Sequence, residues 1–69
     1  MEVKKEQIKN LGQGVQTRAY NYFKVFADGS LHTLASKTRR EVKKCGNLGS
    51  KTLDALEDLL HQHGMRFKQ

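Results

Sequence analysis

Apolar residues recur at helical spacing in the two longest regular stretches of the chain. Between Gln16 and Phe26, the residues Ala19, Phe23 and Phe26 fall on one stripe when each residue is placed at 100° around a helix axis. The stripe of the second stretch, about Ser50 to Gln62, consists of Leu53, Leu56, Leu59 and Leu60. No stretch alternates apolar and polar residues as a half-buried strand does. The pattern predicts an all-α fold in which both stripes face the core.

Capping signals predict two short helices between these long ones. Ser30 ends an Asp-Gly-Ser turn and is placed to cap a helix over about Leu31 to Ser36. Thr38 is followed three residues later by Glu41, which is the pattern of a capping box. It predicts a helix over about Arg39 to Lys44 that carries much of the positive charge of the chain.

The stretch Gly46-Asn47-Leu48-Gly49 separates this helix from the last one. Its glycines permit positive φ and leave no side chain in the way of a close neighbour, so a tight hairpin is expected. Ser50 is expected to cap the last helix, with Lys51 and Thr52 in its first turn. A helix that begins there directs its unpaired N–H groups and positive dipole end outward, which suits a phosphate group. The pattern predicts a helix-hairpin-helix that contacts nucleic-acid backbone; a plain tight connection between packed helices is the alternative.

Glycines mark both ends of the helical region. Before Gly12-Gln13-Gly14, residues 1–10 are charged and have only Val3 and Ile8 as buriable side chains. A disordered tail is favoured there over a short helix or an arm that lies across the domain. The chain is accordingly divided into an N-terminal arm or short helix over residues 1–14 and a helical domain over residues 15–69.

At the other end of the chain, Gly64 follows the last apolar-periodic residues and is a plausible C-cap of the last helix. Met65 and Phe67 lie beyond it and supply two further apolar side chains. We expect these two residues to fold back on the core.

Composition favours a polyanionic partner. The 69 residues contain 13 Lys and Arg against 7 Asp and Glu, a formal net charge of +6. Most basic residues lie at or before Lys51, while the acidic residues of the last helix follow it. A single cysteine, Cys45, excludes an internal disulfide and fits a reducing compartment, and no apolar run approaches the roughly 20 residues of a membrane span. The chain is therefore expected to be cytoplasmic, with no membrane partner.

Residues that could support catalysis or bind metal do not form a convincing set. Cys45 lacks an evident base, and His61 and His63 are two apart, which places them on different faces of a helix. With His32 they match no zinc spacing, and no P-loop or dinucleotide fingerprint is present. We therefore expect no enzyme activity, no cofactor and no metal.

Arg18 and Asn21 lie three apart in the first predicted helix, so their side chains project together. Such a pair can contact phosphate and sugar or reach into a minor groove. A solvated polar face is the alternative, and the pair considered alone favours it.

This pair and the motif Asn47-Leu48-Gly49-Ser50-Lys51-Thr52-Leu53, with Gly64-Met65 after the last helix, resemble the C-terminal domain of the bacterial RNA polymerase alpha subunit. The resemblance covers roughly residues 15–65. It implies a compact four- or five-helix domain whose first helix and hairpin bind the minor groove of A·T-rich DNA. The chain departs from the family pattern at Tyr22, where a Cys is common, and at Ala55, where an acidic residue is usual.

Carried over by position, the resemblance places Arg18 in the minor groove and Asn21 on backbone or a base edge. It implies that Gly49, Lys51 and Thr52 hold phosphate through an amide, an ammonium and a hydroxyl. The expected DNA-binding residues are Arg18, Asn21, Asn47, Gly49, Ser50, Lys51 and Thr52, with Lys43 and Lys44 as additional phosphate contacts.

The function implied is that of a small, nucleoid-associated DNA-binding module of bacterial or phage origin, linked to transcription. Because the alpha subunit's large assembly domain is missing, we expect a stand-alone relative. The alternative is a protein-interaction module that docks on RNA polymerase or a transcription factor through an exposed patch around Tyr20, Tyr22 and Val25. Binding of single-stranded RNA is a third hypothesis.

Overall fold

Four α-helices and one turn of 3₁₀ helix make up the domain in a computed structural model that describes residues 3–12 and 14–69. The elements are the 3₁₀ turn Lys5–Gln7 and the helices α1 Val15–Phe26, α2 Leu31–Ala35, α3 Arg39–Gly46 and α4 Ser50–Gln62. The described residues contain no strand, only an isolated bridge between Thr38 and Lys68. The all-α fold class is therefore confirmed, in a compact domain with a radius of gyration of 10.4 Å. Expectations for Met1, Glu2 and Gln13 fall outside the described residues.

The core forms where α1 packs against α4. All four leucines of the α4 stripe are buried, and so are Ala19 and Phe23 of α1. Phe26 is instead 48 % exposed, so its expected place in the core is wrong. It has the angular position of a core residue, but it is the last residue of α1 and lines an open groove at the surface. Tyr22, one turn earlier, is buried and stacks on it.

Side chains cap the two short helices as the sequence predicts. The Ser30 hydroxyl accepts a hydrogen bond from the Thr33 N–H at 3.2 Å. The Thr38 hydroxyl accepts from the Glu41 N–H at 3.1 Å, and the Glu41 carboxylate accepts from the Thr38 N–H at 3.0 Å. These hydrogen bonds confirm both predicted caps. They satisfy backbone donors that the start of a helix leaves without partners.

The C-terminal end of α4 also matches the expectation. Gly64 has a φ of 71°, and the Met65 N–H donates to the Leu60 carbonyl at 2.9 Å. This is the Schellman pattern of a glycine-terminated helix. Phe67 is buried and Met65 is partly buried against the core, so the chain folds back as predicted.

The N-terminal segment lies across the domain, and the disordered tail favoured from its sequence is wrong for residues 3–12. Val3 and Ile8 are 2 % and 1 % exposed and belong to the same core as the helices. The Gln16 side-chain amide donates to the carbonyls of Lys5 and Ile8 at 3.1 and 2.9 Å. Two buried apolar side chains and satisfied carbonyls offset the entropy of ordering so short a segment.

Candidate nucleic-acid interface

The connection between α3 and α4 consists of Asn47, Leu48 and Gly49. Its left-handed residue is Asn47, with φ 50° and ψ 46°, whereas Gly49 has a φ of −77°. Positive φ therefore falls on the asparagine and not on a glycine of the motif. Asparagine is one of the few residues with a side chain that adopts this conformation readily. The Leu48 N–H then donates to the Lys43 carbonyl at 3.2 Å and closes the end of α3.

Gly46 allows the end of α3 to lie directly against α1. A Cβ at this position would lie 2.7 Å from Cδ2 of Tyr22 and 2.9 Å from Cγ of Leu48. Both distances are shorter than carbon atoms tolerate, so position 46 requires a residue without a side chain. The sequence predicts that the hairpin glycines leave room for a close neighbour in this way. This close approach places the hairpin beside the face of α1 that carries Arg18 and Asn21.

The N-cap of α4 is Gly49, and the expectation that Ser50 caps this helix is wrong. Gly49 has extended backbone angles, and its carbonyl accepts from the Leu53 N–H at 3.1 Å. Ser50 is already helical, so its hydroxyl is not positioned as a cap. No described side chain caps α4, which leaves the N–H groups of its first turn available to an anion.

Two adjoining grooves run between α1 and the hairpin, and Arg18, Gly49 and Thr52 line both of them. We call the first the apolar groove, of about 400 Å³; its other lining residues are Asn21, Tyr22, Val25, Phe26, Gly46, Asn47 and Leu48. We call the second the cationic groove, of about 500 Å³; its other lining residues are Gly12, Val15, Ser50 and Lys51.

The structure brings together all seven residues expected to bind DNA, since each lines at least one groove. Asn21 and Asn47 lie in the apolar groove, and Ser50 and Lys51 lie in the cationic groove. Lys43 and Lys44 are exposed on α3 and line neither groove. Thr52 is only 2 % exposed, so the hydroxyl expected to hold phosphate has little access to solvent.

Ion pairs divide the basic residues into two groups. Arg39 donates to the carboxylates of Asp54 at 2.7 Å and Glu57 at 3.1 Å, so the acidic face of α4 neutralises it. Arg18 and Lys51 form no ion pair with any described residue. Sequence reasoning missed this pairing, because the contact between α3 and α4 that creates it is tertiary. The positive charge that remains at the grooves is therefore that of Arg18 and Lys51.

The apolar surface beside the grooves differs from the patch proposed around Tyr20, Tyr22 and Val25. Tyr22 is buried, and Tyr20 is half-buried with the Lys24 ammonium 6.0 Å from its ring centre. Val25 and Phe26 are the exposed pair, at 67 % and 48 %. The patch as expected is thus wrong at Tyr22, because this ring packs into the space that Gly46 leaves open.

The hydroxyl of Tyr22 is buried and has no hydrogen-bond partner among the described residues. Burial raises the pKa of Tyr22 to about 12, and the neighbouring Cys45 thiol adds to the shift. The phenol is therefore neutral at physiological pH.

Among the described residues, His, Cys, Asp and Glu side chains form no group of three or more that could hold a metal ion. Within residues 3–12 and 14–69, the helices are too short or too polar for any to cross a bilayer. Comparison of the chain with protein-family models, with curated proteins and with solved structures gave no match. The resemblance to the polymerase alpha domain thus stays a prediction.

Proposed function

We propose that the chain is a small DNA-binding module that holds the phosphate backbone with the start of α4 and reaches the minor groove with Arg18. The observation that carries the proposal is the position of Arg18, which lines both grooves beside the uncapped first turn of α4. These groups are distant in sequence, and the packing of the hairpin on α1 brings them together.

Phosphate binding uses the backbone and one lysine. The N–H groups of Ser50, Lys51 and Thr52 belong to the first turn of α4 and carry the positive end of its dipole. The exposed Lys51 side chain adds an ammonium group at the same place. Because such contacts are electrostatic, affinity is expected to fall with salt, with a slope of about 0.9 for each phosphate neutralised.

Minor-groove contact uses the neighbouring side chains of α1. Arg18 and Asn21 are both exposed and line the apolar groove together. A guanidinium is attracted to the concentrated negative potential of a narrow A·T-rich minor groove, and an asparagine can bond sugar or a base edge. The resemblance to the polymerase alpha domain adds the proposal that this binding serves transcription.

A second candidate function is docking on RNA polymerase or a transcription factor. The exposed pair Val25 and Phe26 favours it, since contiguous exposed apolar side chains are a feature of protein contact sites. In that case A·T-rich DNA would bind weakly, and the contact surface would centre on this pair.

The test is a titration of the labelled chain with an A·T-rich duplex, followed by amide chemical shifts. We expect changes at Arg18, Asn21 and 49–52, and an affinity at least about tenfold lower in Arg18→Ala, as for loss of a charge-assisted contact. Arg66→Ala is the matched control, because it removes an equal charge from an exposed site that lines neither groove. Equal losses in both variants, or changes spread over every lysine, would contradict the proposal.

A further inference from the structure

The apolar groove presents an aromatic ring that is half open to solvent. The rings of Tyr22 and Phe26 stack with centroids 4.9 Å apart and planes 24° apart. Phe26 nevertheless remains 48 % exposed. Tyr22 stacks on the Phe26 ring, and Phe26 also lines the apolar groove. A planar group of a ligand in this groove can therefore contact an aromatic side chain.

The two grooves together form an amphipathic surface. Phe26 and Leu48 line the apolar groove, Lys51 lines the cationic groove, and Arg18 lines both. A ligand that occupies both grooves must carry a planar apolar group joined through a short linker to an anion. A nucleotide unit of nucleic acid has this construction, because a sugar joins each base to its phosphate.

Base pairing decides which form of nucleic acid can place a base in the apolar groove. In a duplex each base is stacked on both faces and paired at its edge, so a protein side chain cannot reach a base face unless the base leaves the stack. In a single strand the base face is open, and stacking on an aromatic side chain is the common mode of binding.

We propose, building on the DNA-binding function above, that the apolar groove holds an unpaired nucleobase stacked on Phe26. The adjacent phosphate then lies in the cationic groove at the start of α4, and Arg18 lies where the strand passes between the grooves. The apolar groove therefore takes single-stranded nucleic acid, or a duplex that contains an unpaired base. A fully paired duplex of the same length keeps only the phosphate and minor-groove contacts of the proposed function and binds less tightly.

The experiment measures fluorescence anisotropy of three labelled ligands with the full chain. They are an oligothymidylate of about 12 nucleotides, which lies within the site sizes of small single-strand-binding domains, an abasic strand with the same phosphates, and a fully paired duplex. We expect the oligothymidylate to bind at least about fivefold more tightly than the abasic strand, because stacking contributes this much per base.

Two substitutions locate the stacking partner. Phe26→Leu keeps an apolar side chain but removes the aromatic face, so it should abolish the difference between the oligothymidylate and the abasic strand while affinity for the abasic strand is unchanged. Lys51→Ala should weaken both strands equally. Circular dichroism of each variant checks that the helices are retained.

Each outcome bears on a different part of the proposal. The nucleobase site would be overturned if the unchanged chain bound the oligothymidylate and the abasic strand equally well, or if it bound the duplex more tightly. Phosphate binding would remain in place in either case. A full difference retained in Phe26→Leu would overturn the assignment to Phe26. If none of the three ligands binds, and an acidic apolar peptide instead changes the chemical shifts of Phe26, the DNA-binding function itself is overturned and protein docking is favoured.

Discussion

Substitution of Gly49 by aspartate separates the stability of α4 from its role in phosphate binding. Gly49 is the N-cap of α4, with φ −77° and ψ 165°, a conformation open to any residue. No heavy atom lies within 4 Å of a Cβ built there. An aspartate therefore fits without strain, and its carboxylate can accept a hydrogen bond from an N–H of the first turn.

The expected effects on stability and binding have opposite signs. Loss of glycine flexibility in the unfolded chain stabilises by about 0.4–1 kcal/mol, and the new cap adds a few tenths of a kcal/mol. For a domain of this size, a gain of about 1 kcal/mol raises Tm by roughly 4–8 °C. The same carboxylate occupies the phosphate site and repels phosphate. We therefore expect affinity for DNA to fall at least about tenfold, the equivalent of about 1.4 kcal/mol.

Thermal unfolding, monitored by circular dichroism, measures the effect on stability. Fluorescence anisotropy with a DNA ligand measures the effect on affinity, and both use one preparation. Ser30→Asp is the matched control, because it adds the same charge at the N-cap of α2, where Ser30 already caps, and outside both grooves. It should leave DNA affinity nearly unchanged. A more stable Gly49→Asp variant that binds DNA normally would refute the phosphate site at α4. A lower Tm would refute the assignment of Gly49 as a strain-free N-cap.

Two further predictions concern the scaffold. Gly46→Ala should destabilise the domain by about 1–3 kcal/mol in urea denaturation, as for overpacking, since its Cβ would lie 2.7 Å from the buried Tyr22 ring; unchanged stability would mean that α3 and α1 do not approach this closely. Hydrogen bonding to the backbone of Thr38 lowers the pKa of Glu41 in the folded state below its ordinary value of 4.5. The Glu41 carboxylate therefore contributes stability that is present above the unfolded pKa and is lost as pH falls through the folded pKa. Glu41→Gln should reduce the fall in Tm over this acidic range, and an unchanged fall would argue against the charged capping box.

Most of the correct predictions depend on residues that lie close together in the sequence. The leucine stripe of α4, the Ser30 cap, the Thr38 and Glu41 capping box and the glycine end at Gly64 depend on groups within a few residues of one another. Such contacts are encoded by spacing, so the helices and their order could be predicted. The spacing also predicted that Arg18 and Asn21 project together, and the DNA-binding role that the resemblance to the polymerase alpha domain gives them stays a prediction.

The errors occur where a neighbour distant in sequence decides the outcome. Phe26 has the angle of a core residue, yet at the end of α1 it lines the open groove beside the hairpin. Val3 and Ile8 occur in a charged segment, yet the core has room for both of them. The Ser50 cap is a local exception, since Gly49 and Ser50 are both acceptable N-caps and the structure has the N-cap at Gly49.

The amino-acid sequence alone determined that the chain is helical, where its helices begin and end to within a few residues, and that it carries an excess of positive charge. Periodicity, caps and composition are local or additive properties, and they need no knowledge of packing. Only the tertiary structure decided that Gly46 packs on Tyr22, that Arg39 is neutralised by α4, and that Arg18 borders both grooves. Each of these depends on contacts between helices separated along the chain, which close packing of side chains specifies and local spacing does not.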